Sequence, residues 1–137
     1  IFGTYGRPKF FDPSWMKYYK CAGSALLCEV FSESSIYVCG SINEGFGMVG
    51  AEAMTSGAAV VSTAYPDVFE YAKDGENALL SPVKDVQALE DNIIKLINDE
   101  QLRFRLANVG VETMKSFNWD DRTDMLEQYL KEKTPKY

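Results

Sequence analysis

The stretch Asn43-Glu44-Gly45-Phe46-Gly47-Met48-Val49-Gly50-Ala51-Glu52-Ala53-Met54 follows the apolar run Ile36-Tyr37-Val38-Cys39 and reads as the turn from a strand into a helix. Two carboxylates, Glu44 and Glu52, stand eight positions apart and flank a glycine turn. A glycine loop that opens a helix offers unpaired backbone N–H groups and the positive end of the helix dipole, which suits a phosphate. A carboxylate at each end of such a site accepts hydrogen bonds from sugar hydroxyls on either side of the phosphate. The implied ligand has two sugars with a pyrophosphate between them, which describes a nucleotide-sugar.

The same letters contain Gly45-x-Gly47-x-x-Gly50, the spacing of a dinucleotide fingerprint, and Asp67 lies twenty residues after Gly47, near where a ribose-binding acid belongs. Two details weigh against an NAD site. The first glycine of that fingerprint follows its strand directly, whereas Ser41-Ile42-Asn43-Glu44 intervene here. Glu44 would also set an uncompensated negative charge against the pyrophosphate. A third reading is a plain glycine turn with solvated glutamates.

Outward from the loop, strands and helices alternate. Ile1 to Thr4 is a short apolar strand, Tyr5 to Ser14 a loop with glycine and two prolines, and Trp15 to Lys20 the start of a helix. Ser24 to Ser34 reads as a helix with Leu26, Leu27, Val30 and Phe31 on one face. Ile36 to Cys39 and Ala58 to Ser62 are unbroken apolar runs of the kind found in buried parallel strands. Between them a helix runs from about Met48 to Ser56, with Gly57 as its stop. Pro66 opens a short helix, and Asp74-Gly75-Glu76-Asn77 turns into the strand Ala78-Leu79-Leu80. This order predicts an α/β domain built on a parallel sheet.

The last third is helical. Asp85 caps a helix with Val86, Leu89, Ile93 and Ile97 inward, and Asp99 caps a second with Leu102, Leu106 and Val109 inward and Arg103 and Arg105 largely outward. Asn118 and Asp121 form a capping pair for a third, whose stripe is Met125, Leu126, Tyr129 and Leu130. All three stripes are expected to be core. The tail from Lys131 to Tyr137 is polar and expected to fray.

With 137 residues, 46% hydrophobic and 25% charged, the chain has the make-up of one soluble globular domain. A net charge of −6 without a basic run argues against nucleic acid as a partner. No apolar stretch reaches the roughly 20 residues needed to cross a bilayer. The three cysteines lack metal-ligand spacing and the chain has no histidine, so no metal is expected and both zinc and histidine-based catalysis lack support. Cys21, Cys28 and Cys39 read as mostly buried thiols of a reducing compartment. Chemistry must then run on carboxylates, backbone dipoles or groups outside this chain.

Ser34-Ser35-Ile36-Tyr37, Glu44-Gly45-Phe46-Gly47, Glu52-Ala53-Met54, Gly57-Ala58-Ala59-Val60-Val61, Asp74-Gly75-Glu76-Asn77-Ala78-Leu79-Leu80-Ser81-Pro82 and Phe117-Asn118-Trp119 occur in that order. Together they resemble the C-terminal domain of a retaining GT-B glycosyltransferase, more narrowly family 4 (glycosyl transferases group 1), over roughly Ser24 to Leu130. The resemblance implies a Rossmann-like parallel sheet with flanking helices, the C-terminal half of a GT-B fold, with residues 1–137 as a partial donor-binding domain. It implies that Glu52 binds the ribose of a UDP- or GDP-linked sugar and that Glu44 is the catalytic carboxylate facing the donor sugar. Backbone groups of Gly45, Phe46, Gly47, Met48 and Val49 would line the sugar and diphosphate pocket. No cofactor beyond the substrate is implied. The acceptor, a glycan or lipid, would be held by a second domain.

In one respect the chain departs from that pattern. The family neutralises the leaving diphosphate with an Arg and a Lys shortly after the first strand of the domain. Arg7-Pro8-Lys9 does not match and reads as a solvated loop. The first strand and its helix are therefore expected upstream of Ile1, together with the acceptor domain. The fragment is expected to hold half a donor site, to be inactive alone and to self-associate through surface left uncovered. A cytoplasmic place is expected, at the inner face of the membrane for a lipid acceptor. An oxidoreductase fragment and a non-catalytic α/β interaction module are the rival functions.

Overall fold

The computed structural model describes residues 1–3 and 5–134. Its centre is a parallel sheet of β3 (Ile36–Cys39), β4 (Ala59–Thr63) and β5 (Ala78–Ser81), in that order, preceded by β1 (Phe2–Gly3) and β2 (Tyr19–Lys20) in a separate two-stranded sheet. Val38 lies opposite Val61, and Val61 opposite Leu79. The helices are α1 (Ser24–Ser32), α2 (Met48–Thr55), a 3-10 helix (Pro66–Glu70), α3 (Val86–Asn98), α4 (Glu100–Met114) and α5 (Trp119–Lys133).

All five residues of β4 are buried, as a strand covered on both faces requires. Successive side chains point to opposite faces of a strand, and the core divides accordingly. Val60 and Ala78 join Ala51 and Met54 of α2 and the segment Tyr65, Val68, Tyr71 and Ala72 on one face. Ala59, Val61 and Leu79 join Leu96 of α3 and Leu106 and Ala107 of α4 on the other. A third cluster packs Phe31 of α1 against Ala53 and Ala58, with Phe2 and Leu27 at its margin. Helix α4 crosses α2 closely at Gly110, where an added Cβ would lie 2.7 Å from Cγ of Met54.

The capping residues read from the sequence act as caps. The Asp85 carboxylate accepts from the Ala88 N–H at 3.0 Å, that of Asp99 from the Leu102 N–H at 2.8 Å, and the Asn118 side chain from the Asp121 N–H at 2.9 Å. Each satisfies a first-turn donor that has no intrahelical partner.

Several expectations are corrected. Ile36–Cys39 is a parallel strand but not a buried one: it lies at the edge of the sheet, with Val38 43% exposed and the other three residues half-buried. Residues 15–20 do not start a helix: one turn around Asp12 and Met16 stops, and Tyr19–Lys20 pairs with Phe2–Gly3. In α3 the inward face is Leu89, Ile93 and Leu96, so Val86 and Ile97 are exposed. Val109 of α4 is exposed as well, while Arg103 is turned in, its side chain 18% exposed and donating to the Leu96 carbonyl at 2.6 Å. That bond satisfies a carbonyl at the end of α3 and complements the negative end of its dipole. The stripe of α5 is not core. Met125, Leu126, Tyr129 and Leu130 are all exposed, and no residue of the helix is buried. The thiols are also less buried than expected: Cys21 and Cys28 are exposed and Cys39 is half-buried. The expected fraying from Lys131 is not seen in the described part, where 131–133 complete α5 and Thr134 bonds back to the Leu130 carbonyl; residues 135–137 lie outside the described residues.

Candidate functional site

The carboxyl end of β3 leads through Gly40 and Ser41 to Glu44, and α2 begins at Met48 in the same connection. Glu44 is exposed in that loop and its Oε1 accepts the Ser41 hydroxyl at 2.6 Å. Gly47 is the N-cap of α2, in left-handed backbone at φ 78°. Its carbonyl accepts from the N–H of Gly50 at 2.9 Å, and no side chain caps the helix. The N–H groups of Met48 and Val49 therefore open α2 without an intrahelical acceptor. Glu52 follows one turn on, at about 6 Å along the axis. It is exposed, and its carboxylate has no protein partner among the described residues.

The glycines of this loop have different causes. A Cβ on Gly47 would lie 2.0 Å from the Tyr65 hydroxyl, and one on Gly50 would lie 2.6 Å from the Tyr71 hydroxyl. A Cβ on Gly45 would meet nothing within 4 Å. Two buried tyrosines beneath the loop thus account for the second and third glycines of the dinucleotide-like spacing. The Tyr65 and Tyr71 hydroxyls are 3.0 Å apart, and Tyr71 donates to the Gly47 carbonyl at 3.3 Å. With that proton committed, Tyr65 donates to Tyr71, so each hydroxyl proton has an acceptor. Burial pushes both phenols above the usual tyrosine range, and does the same to Tyr37.

Phe46 turns inward. Its ring centroid lies 5.2 Å from Tyr71 and 5.9 Å from Phe117, which anchors the loop to the junction of α4 and α5. Beside it runs a cleft of about 580 Å³ walled by Leu27 and Cys28 of α1, Met48, Ala51 and Glu52 of α2, and Phe117, Trp119 and Arg122. Its lining is largely apolar. Glu52 and Arg122 bring charge to it, the Arg122 guanidinium lying 4.7 Å from the Phe117 ring centre. Glu44 is not among the residues lining this cleft. The sequence reading placed Phe117, Asn118 and Trp119 only as a motif ahead of a helix. An aromatic two positions from another, beside a capping Asn, was the available signal for the cleft wall. Among the described residues no group of three or more His, Cys, Asp or Glu is placed to hold a metal ion, and no helix is long and apolar enough to cross a membrane.

Known proteins share both the sequence and the fold. The model of the family "Glycosyl transferases group 1" matches residues 23–112. An uncharacterised glycosyltransferase of Methanocaldococcus jannaschii is 38% identical over 86 residues, 63% of this chain and 24% of that protein. The chain thus spans about a quarter of the length of such curated relatives. Among solved structures, sucrose-phosphate synthase from Thermosynechococcus elongatus superposes with a TM-score of 0.77 at 26% identity, over 85% of this chain and 29% of that one. The C-terminal domain of a glycosyl transferase group 1 family protein from Francisella tularensis gives a TM-score of 0.66 at 32% identity, over 72% of this chain and 51% of that one. The parallel sheet, the loop from β3 into α2 and the matched span agree: this chain belongs to the glycosyl transferases group 1 family, as a Rossmann-like C-terminal domain of the GT-B type.

Proposed function

We propose that this chain is the donor-binding domain of a retaining glycosyltransferase that takes a UDP- or GDP-linked hexose and, with an acceptor-binding domain, transfers the sugar to a glycan or lipid. The observation that carries this reading is the uncapped start of α2 behind the glycine loop, with the unpartnered Glu52 carboxylate one turn further on. Free N–H groups at a helix start favour a diphosphate, and a carboxylate at that distance favours the ribose diol. Glu44, in the same loop, is assigned to the hydroxyls of the donor sugar near the reacting carbon.

The chemistry follows from where charge develops. As the glycosidic bond to the leaving diphosphate breaks, the sugar gains oxocarbenium character and the diphosphate gains negative charge. A carboxylate beside the sugar and N–H donors beside the diphosphate oppose both changes. The residues neutralising the rest of the diphosphate charge are assigned to chain outside 1–137, and the isolated domain is expected to bind donor weakly and to transfer little.

Thermal shift of the full-length protein with UDP, GDP, ADP and NAD tests the ligand class, with stabilisation by UDP or GDP expected. Stabilisation by NAD alone would overturn the reading. Sugar-transfer kinetics then separate the two carboxylates. Glu52→Ala removes a charged partner of the ribose and is expected to raise KM, by the ~1.5–3 kcal/mol of such a bond. Glu44→Ala is expected to lower kcat, because its interaction strengthens as charge develops.

A further inference from the structure

The protein itself holds one oxygen of the Glu44 carboxylate. The Ser41 hydroxyl donates to Oε1 at 2.6 Å, the length of a hydroxyl bonded to an ionised acceptor. Ser41 is held in turn, because the Thr63 hydroxyl donates to its carbonyl at 2.5 Å across 22 positions of sequence. Thr63 ends β4, the central strand, and is 4% exposed. At the other end of the loop, the Tyr71 hydroxyl holds the Gly47 carbonyl. The loop is therefore tied at both ends to one stretch of chain, residues 63–71, which runs out of the most buried strand of the fold.

We propose that Thr63 and Ser41 are positioning residues that aim the Glu44 carboxylate, leaving Oε2 for a hydroxyl of the donor sugar; this rests on the donor-site reading above. An exposed glutamate samples several rotamers at similar energy. A short bond from Ser41 selects one of them, and the bond from Thr63 fixes where Ser41 itself sits. Neither hydroxyl is assigned a contact with substrate. Losing either would misdirect the carboxylate where charge develops, which lowers kcat and leaves ground-state donor affinity alone.

The test uses the full-length protein with Ser41→Ala, Ser41→Thr, Thr63→Val, Thr63→Ser and Glu44→Ala. Release of UDP or GDP is followed from UDP-glucose, UDP-N-acetylglucosamine and GDP-mannose, and amide hydrogen exchange is followed across residues 41–47. Ser41→Ala is expected to lower kcat about 10- to 100-fold with KM unchanged, the loss of one bond to a charged group, and Thr63→Val, which loses only the neutral bond that holds Ser41, about 10-fold. Ser41→Thr and Thr63→Ser, which keep the hydroxyl, are expected to restore much of the rate. Ser41→Ala should add nothing in the Glu44→Ala background, and loop exchange should quicken in both hydroxyl-deleted variants. If Glu44→Ala is slow but Ser41→Ala turns over at the parent rate, the positioning role is overturned and the donor-site reading stands. Parent kcat in Glu44→Ala removes the donor-site reading itself. Should none of the three sugars turn over, unchanged loop exchange in Ser41→Ala overturns the inference and quickened exchange supports it. Where Thr63→Val unfolds, Ser41→Ala decides, since Ser41 is half-buried and outside the core clusters.

Discussion

Replacing Gly47 with alanine puts the tyrosine bed under the loop to a quantitative test. Two penalties add. The residue sits at φ 78° and ψ 46°, which costs an alanine about 1–2 kcal/mol. Its Cβ would also lie 2.0 Å from the Tyr65 hydroxyl and 2.9 Å from Cζ of the same ring. Tyr65 is 1% exposed, so the ring has nowhere to go without displacing core neighbours, at roughly 1–3 kcal/mol for an overpacked site. Moving it breaks the 3.0 Å bond to Tyr71, about 1 kcal/mol more. The sum is about 3–6 kcal/mol, a large part of the ~5–15 kcal/mol that holds an ordinary domain together. In urea, at an m-value of roughly 1.5 kcal/mol/M, a 3 kcal/mol loss moves the midpoint down by about 2 M. Tyr65→Phe removes the atom at 2.0 Å and leaves Cζ, so Gly47→Ala should cost less in that background by ~0.5–3 kcal/mol. A midpoint within about 0.3 M of the parent for Gly47→Ala, or strict additivity with Tyr65→Phe, would refute the steric account.

Three further outcomes follow from the packing and the buried polar groups. Asn77 is 2% exposed, accepting from the Lys73 N–H at 2.7 Å and donating to the Tyr71 carbonyl at 2.9 Å and the Thr113 hydroxyl at 3.1 Å. Asn77→Ala should therefore cost ~2–4 kcal/mol in urea denaturation, for the loss of three bonds and the burial of their widowed partners. Leu106→Ala should cost ~2–5 kcal/mol, whereas Leu126→Ala, on the 57%-exposed stripe of α5, should fall within about 0.5 kcal/mol of the parent by the same assay. Burial raises Tyr65 and Tyr71 above the usual 10.0 of a phenol, so below that pH both states keep the protons and stability is full. Above it the unfolded chain ionises first, and stability falls by up to ~1.4 kcal/mol per pH unit for each tyrosine. Urea midpoints from pH 8 to 11 should drop more steeply for the parent than for Tyr71→Phe.

The fold was legible where one local signal sufficed. The runs Ile36-Tyr37-Val38-Cys39 and Ala59-Val60-Val61 are both parallel strands, but only the second is buried throughout, because β4 has a strand on each side and β3 lies at the sheet edge. Asp85, Asp99 and Asn118 cap helices because a short side-chain acceptor meets the free donors of a first turn. What misled were features decided by partners distant in sequence. Tyr19–Lys20 is a strand because Phe2–Gly3 is there to pair with it. Arg103 turns inward because the end of α3 presents the Leu96 carbonyl, a fact no helical period contains. The stripe of α5 has the right spacing for a core, and spacing says nothing about whether another surface lies opposite.

The candidate site divides along the same line. Glu44, Glu52 and the glycines between them stand out by their spacing about the turn from a strand into a helix. Gly45, Gly47 and Gly50 looked alike as letters, yet Tyr65 and Tyr71 explain two of them and leave Gly45 open to space. The dinucleotide-like spacing is thus a by-product of packing over two phenols, which is why three glycines in a row of six carry so little chemical meaning alone. Thr63 and Ser41 gave no signal, since hydroxyl residues beside strands are common and their reach across 22 positions is visible only in three dimensions. A carboxylate that must point one way needs a rigid neighbour, and in a doubly covered sheet the most rigid neighbour is the central strand. On the positioning proposal, the residue that steadies the Glu44 loop therefore sits at the end of the adjacent central strand, 22 positions from the Ser41 carbonyl it holds and well away in sequence from the motif.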